Sequence, residues 1–239
     1  MGEFKVQELQ AIAESWSAAE VLSGALARFG HRIALASAFG PEGMVLIDMA
    51  VELRPDIHVF TLDTGLFFPE TYELMSAVEQ RYAITIERVK PALTVEEQAL
   101  QHGAALWERN PDRCCSMRKI EPLRRKLATL EAWMTAIRRD QTPGRAHAQK
   151  IEWDTKFGLV KMNPLCDWTN EMVWEYLRAH DVPYNALHDR GYPSIGCAPC
   201  TLPAQNRDDA RSGRWVGFAK TECGLHQPSQ PDVLRVLQE

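Results

Sequence analysis

No stretch of this 239-residue chain comes near the run of about 18 apolar residues that a membrane-spanning helix needs. The opening MGEFKVQELQ also lacks the apolar core of a secretory signal, carrying Glu3 and polar side chains in its place. These two absences exclude a membrane partner and make a reducing cytoplasm the expected location. A basic excess is missing too: the formal charge of -5 gives no general attraction to nucleic acid. In a reducing compartment the six cysteines argue for metal binding or catalysis before disulfides.

With 45% hydrophobic and 25% charged residues, the composition is that of a soluble globular fold. The expected organisation is an α/β body over residues 1–190 and an irregular, cysteine-bearing segment over residues 191–239, both parts of one domain. Helical spacing of Leu9, Ile12, Trp16, Leu22 and Leu26 predicts an opening helix over residues 7–28. Apolar runs predict strands at 33–38, 57–62, 84–89 and 132–137, with a hairpin over 150–164. Helical patterns fill the gaps, at 94–107 and again from NPDRCC to Leu127 among others, so parallel βαβ units and a three-layer core are expected.

Ligands of such sheets collect beyond the carboxyl ends of the strands. There lie SAFGPEG (residues 37–43) and the loop at 63–65, which are expected to face one crevice. A buried strand, a small-residue loop and a helix N-terminus together suit a phosphate. The loop matches neither G-x-G-x-x-G nor G-x-x-x-x-G-K-S/T, and Pro41 with Glu42 could equally be a plain helix start.

Cys197 and Cys200 form a C-x-x-C pair, too few thiols for a four-thiolate site. The missing ligands are sought at Cys114 and Cys115, in the first turn of a helix; adjacent cysteines do not readily bond to each other. The alternative is two small core residues. Cys166 lies among apolar residues and is assigned to packing, which leaves Cys223 free as a nucleophile. Between Arg118 and Lys150 nine basic residues face three acids. A solvated helix face accounts for part of them but less well for Arg138, Arg139 and Arg145, which follow an apolar run. Arg207, Arg211, Arg214 and Lys220 then punctuate the tail.

SAFGPEG, LDTGLFFPETYEL, CCSMRKIEPL, RRDQTPG, GCAPC and KTECGLH, in this order, resemble the thioredoxin-dependent assimilatory adenylyl-sulfate reductases, relatives of the phosphoadenylyl-sulfate reductases. The resemblance spans about residues 30–228, with the loop Ser37-Ala38-Phe39-Gly40 standing where many relatives have a second hydroxyl. It implies an adenine nucleotide α-hydrolase-like fold with a mostly parallel sheet of five strands or so. It implies a 4Fe-4S cluster on Cys114, Cys115, Cys197 and Cys200, which relatives specific for the 3'-phosphorylated nucleotide usually lack, so adenylyl sulfate is the expected substrate. Substrate contacts are expected from Ser37, Phe39, Gly40, Asp63, Thr64, Gly65, Lys119, Arg138, Arg145, Arg211, Arg214 and His226.

In the implied reaction the Cys223 thiolate attacks the sulfate sulfur, AMP leaves, and thioredoxin or a glutaredoxin-like donor releases sulfite from the Cys223 S-sulfonate. Lys220 and His226 are the expected local cations that lower the Cys223 pKa. Lys119, four residues after Cys115, is expected between cluster and substrate, the cluster tuning charge rather than passing electrons. Residues 213–226 are expected to move between a closed and an open state, and homo-oligomerisation is left open. The rival readings are a phosphoadenylyl-sulfate reductase, an ATP pyrophosphatase-type iron-sulfur thiolation enzyme, and a non-catalytic module stapled by a four-thiolate zinc.

Overall fold

The computed structural model describes residues 3–206 and 209–226; Arg207 and the end of the expected C-terminal segment, 227–239, lie outside the described residues. Its strands are β1 (Ile33–Ala36), β2 (Val59–Leu62), β3 (Ile86–Val89), β4 (Ala132–Met134), β5 (Ile151–Asp154) and β6 (Leu159–Met162). Its helices are α1 (Glu3–Ala13), α2 (Ala18–Phe29), α3 (Pro41–Leu53), α4 (Pro69–Tyr82), α5 (Val95–His102), α6 (Leu106–Arg109), α7 (Pro111–Cys115), α8 (Glu121–Leu127) and α9 (Asn170–Ala179).

Side-chain alternation builds the layers. Ile33, Leu35, Val59, Ala132, Met134, Val160 and Met162 face one way, into the large core shared with α2, α3, α4 and α9. The intervening Ala34, Phe60, Trp133 and Leu159 face the other way, onto Leu123 and Leu127 of α8. A strand with both faces apolar must be covered twice, hence three layers.

The sheet order is β3-β2-β1-β4-β6-β5. All neighbours run parallel except the β5–β6 hairpin, where Ile151 pairs with Met162 at the sheet edge. The chain winds outward from β1 through β2 to β3, then returns to place β4 on the other side of β1. That reversal leaves a crevice beyond the carboxyl ends of β1 and β4.

Several expectations change in detail. Among the described residues the sheet has six strands, and β1 and β4 end at Ala36 and Met134; each gives one more amide to its neighbour, Ser37 N–H to the Phe60 carbonyl (3.0 Å) and Thr135 N–H to the Met162 carbonyl (2.8 Å), before the chain leaves the sheet. The opening helix is two helices: the Glu20 N–H donates to Ser17 Oγ (3.2 Å) while the Ser17 N–H donates to Glu20 Oε2 (2.6 Å), a capping box that starts α2 afresh. The helix at 94–107 breaks where Gly103 and Ala105 adopt φ of 82° and 48°. The helix through the paired cysteines is interrupted by a π turn, Ser116–Ile120, before α8. Among the described residues no helix is long and apolar enough to cross a membrane.

Candidate active site

A cavity of about 740 Å³ fills the crevice, a volume in the range of small-ligand sites. Ser37, Gly40 and Gly43 line it from the turn after β1, Arg138 from the loop after β4, and Arg211, Arg214, Cys223 and His226 from the tail. Among the described residues the buried side-chain atoms without a hydrogen-bond partner are Thr61 Oγ1, Trp133 Nε1, His188 Nε2, Arg214 Nε, Trp215 Nε1 and His226 Nδ1. All of them belong to cavity-lining residues. Buried polar groups are rarely left unpaired, so their gathering around one cavity suits a polar ligand.

The phosphate-type loop is built from its own residues. Ser37 Oγ accepts the Phe39 N–H at 3.1 Å, Phe39 takes a left-handed φ of 58°, and Gly40 then opens α3 with Pro41 in the first turn. No side chain caps this end, so the first amides of α3 remain available to an anion. A Cβ on Gly43 would lie 2.6 Å from Ser37 Oγ. Gly43→Ala is therefore expected to cost about 1–3 kcal/mol and to raise the nucleotide KM, checked by thermal melts and steady-state kinetics.

Not every expected contact faces the cavity. Phe39, 2% exposed, buries its ring in the main core and contributes backbone shape alone. Asp63, Thr64 and Gly65 do not line the cavity, contrary to expectation. Asp63 Oδ1 accepts the Gly65 N–H (3.0 Å) and the Tyr72 hydroxyl (2.8 Å), while Thr64 Oγ1 sits 3.4 Å from Cys197 Sγ. Buried Arg118 donates to the Thr64 carbonyl (2.6 Å) and to Gln98 Oε1 (3.0 Å). This loop supports the cysteine group because β2 delivers it behind the cavity wall.

Cys114, Cys115, Cys197 and Cys200 line one small pocket together with Arg118, Lys119 and Arg214. A single bridge between Phe67 and Cys197, reinforced by the Ala198 N–H to the Leu66 carbonyl (2.7 Å), draws the late cysteines to the early pair. A second bridge, Thr201 to Arg214, folds the tail back over them. All four thiols are unbonded to one another. Burial pushes Cys115 up to about 11 and Cys200 up to about 12. Among the described residues no three of these sulfurs lie within 4.8 Å of one another. Four cysteine sulfurs around one pocket are a donor set suited to a thiolate-bound metal centre.

Cys223 stands apart, half-buried on the cavity wall. Burial and the neighbouring Glu222 carboxylate push its thiol up, but the Lys119 ammonium, the Leu225 N–H and the Arg145 guanidinium together hold it below the ordinary thiol value. The expected local cations do not serve. Lys220 pairs with Asp112. His226 lies flat on Trp133, with ring centroids 5.8 Å apart, and burial plus surrounding Lys161 and Arg145 keep it well below its ordinary value and therefore neutral. Lys119 comes from the π turn beside Cys115; burial opposes its charge, while the sulfurs of Cys197, Cys223 and Cys115 favour it.

The arginines divide. Arg138 donates to Glu42 Oε1 at 2.9 Å and pairs with Asp140, tying the loop after β4 to α3. Arg139 turns away to Glu14 and the Ala148 carbonyl. Arg145 spends its fork on Glu222. Arg214 lies over the Trp215 ring, 4.6 Å from its centroid, and donates to Ser194 Oγ. Sequence reasoning missed Glu222, Thr142 and Trp133; the only available signal was the acidic neighbour of Cys223 in KTECGLH.

The phosphoadenosine phosphosulfate reductase domain matches residues 32–203. The chain belongs to the phosphoadenosine phosphosulfate reductase family. It is 49% identical over 209 residues to adenosine 5'-phosphosulfate reductase 2 of Bacillus subtilis (strain 168), covering 87% of this chain and 89% of the relative. It is 47% identical over 223 residues to the adenosine 5'-phosphosulfate reductase of Halalkalibacterium halodurans, covering 93% and 96%. A phosphoadenylyl-sulfate reductase structure from Candida auris, in a phosphate complex, superposes with a TM-score of 0.73 at 32% identity, covering 84% of this chain and 98% of the other. Yeast FAD synthetase shares the fold alone, with a TM-score of 0.56 at 16% identity over 79% and 66% of the chains.

Within this reductase family member Cys166 is fully buried beside Ile137 and Ala148, and burial pushes its thiol up to about 11. Cys166→Ser should keep full activity while losing about 1 kcal/mol of stability. An inactive but folded variant in a melt-and-assay pair would contradict this.

Proposed function

We propose that the chain reduces adenylyl sulfate to sulfite and AMP, with Cys223 as the nucleophile. The observation that carries this reading is the placement of a half-buried thiol, held low by Lys119, on the wall of a nucleotide-sized cavity in a family whose closely similar relatives are named adenosine 5'-phosphosulfate reductases. The amides at the start of α3 would receive the phosphate, and Lys119, Arg211 and Arg214 the sulfate charge.

In the first step the Cys223 thiolate forms a bond to the sulfate sulfur as its bond to the bridging oxygen breaks, and AMP leaves with that electron pair. In the second step a dithiol protein of the thioredoxin or glutaredoxin type attacks Cys223 Sγ. Sulfite leaves with the S–S electron pair, and the second thiol of the donor resolves the mixed disulfide. Sulfur falls from the sulfate to the sulfite level, the donor becomes a disulfide, and Cys223 is regenerated.

Cys114, Cys115, Cys197 and Cys200 would hold a 4Fe-4S cluster, the usual partner of four cysteine thiolates. Bound there it supplies fixed negative charge beside Lys119. The chain's own Arg118, Lys119 and Arg214 would offset the charge of those thiolates. A cytoplasmic, reducing location follows from this thiol chemistry.

The 3'-phosphorylated nucleotide remains the second reading, since the superposing Candida auris enzyme is named for it. Sulfite release from each nucleotide, with reduced thioredoxin and protein purified without oxygen, separates the two. Adenylyl sulfate is expected to give the higher kcat/KM. A preference for the 3'-phosphorylated form would overturn the substrate assignment.

A further inference from the structure

Glu222 precedes the nucleophile and is only 8% exposed. Its carboxylate gathers three donors from the loop after β4: the Thr142 hydroxyl at 3.0 Å, and Arg145 Nε and Nη2, each at 3.0 Å. Arg211 Nη2 adds a weaker contact at 3.5 Å from within the tail. Arg145 is itself fixed by Gln141, so its fork is preset for the carboxylate. The residues after Cys223 dock by softer contacts: Lys156 donates to the Gly224 carbonyl, Leu225 packs on the Leu123–Trp133 face, and His226 stacks on Trp133. Few regular ladders hold this segment, so one buried ion pair beside the nucleophile weighs heavily in its placement.

We propose that Glu222 is a positioning residue, a latch whose carboxylate fastens the Cys223 segment to Thr142 and Arg145 and so holds the thiol facing Lys119 in a closed site. The proposal rests on the reading of Cys223 as the nucleophile. A dithiol donor must reach Cys223 Sγ in the second step, and releasing one latch opens the segment for it without unfolding the sheet. Arg145 thereby belongs to tail docking instead of to the sulfate.

The test uses the full-length, cluster-loaded protein. Alkylation of Cys223 by iodoacetamide, located by peptide mass spectrometry, is measured against pH without nucleotide. At the pH-independent plateau every Cys223 is thiolate; loss of the Glu222 charge, which raises the thiol pKa, would by itself make that thiolate a slightly weaker nucleophile, so a raised plateau reports access. Glu222→Gln should raise that plateau about fivefold or more, while S-sulfonate formation at saturating adenylyl sulfate slows about tenfold. Thr142→Val should move both in the same direction by about twofold, and Glu222→Asp should recover part of the loss.

An unchanged plateau in Glu222→Gln overturns the latch, and so does a lowered nucleotide KM, which would mark Glu222 as a mere competitor for the anion site. Should Glu222→Gln fail to fold, the Thr142→Val plateau decides alone: a rise supports the latch and no change sinks it. Cys223→Ser run alongside separates the two ideas. If it still gains a sulfonate, the nucleophile is wrong; if it gains none while the plateau is flat, only the latch is wrong.

Discussion

Cys223→Ser is expected to lose turnover by at least about a thousandfold while folding normally, the scale on which deleting a covalent nucleophile acts. The substitution is nearly isosteric and the site half-buried, so melting should barely change. Its serine hydroxyl is a far weaker nucleophile than a thiolate near neutrality, and Lys119 cannot ionise it to a useful extent. Nucleotide binding should persist, because the amides of α3 and Arg214 are untouched. AMP titration followed by calorimetry checks that the variant binds and fails only in chemistry. Turnover close to wild type would move the nucleophile elsewhere.

Lys119→Met carries the second large effect. Burial pushes the Cys223 thiol up, and Lys119 is the leading opposing influence. Removing the ammonium while keeping the side-chain volume must therefore raise the thiol pKa. At fixed pH below that pKa, each unit of rise lowers the thiolate population tenfold. Sulfonate formation at neutral pH should fall by about tenfold or more, and its pH profile should move to higher pH. The sign is the diagnostic feature: a profile unmoved, or moved to lower pH, would remove Lys119 from the nucleophile. The substitution is volume-conserving in a half-buried π turn, so a large loss of stability is not expected.

The layers were legible in the sequence because the alternation Ile33–Ala34–Leu35 and the small-and-apolar β4 admit few placements other than a sheet covered on both faces. Their ends were not. Residues 37–38 and 135–137 have strand-like composition, yet after one last amide each, from Ser37 and Thr135, the chain leaves the sheet for the loops that line the cavity. The grouping of the early and late cysteines depends on two isolated bridges, Phe67–Cys197 and Thr201–Arg214, that leave no periodic signature.

Local reasoning about Cys223 failed for a related reason. His226 is three residues away along the chain, but Gly224 at φ 84° turns the backbone and sends the ring onto Trp133. The effective cation, Lys119, arrives from a helix more than a hundred residues earlier, through a π turn that no heptad or 3.6-residue pattern announces. The DTG loop was expected at the ligand because the end of a strand in such a sheet is a good place for one on average. Here Arg118 and Thr64 commit it to the cysteine group.

The account stands on the chemistry of one sulfur. Wild-type protein prepared without oxygen, mixed with adenylyl sulfate in the absence of any thiol donor and then digested, should carry a single sulfonate on the peptide containing Cys223, released as sulfite when reduced thioredoxin is added. A sulfonate on Cys166 or on any of the four grouped cysteines, or full release of AMP with no covalent sulfonate at all, would contradict it.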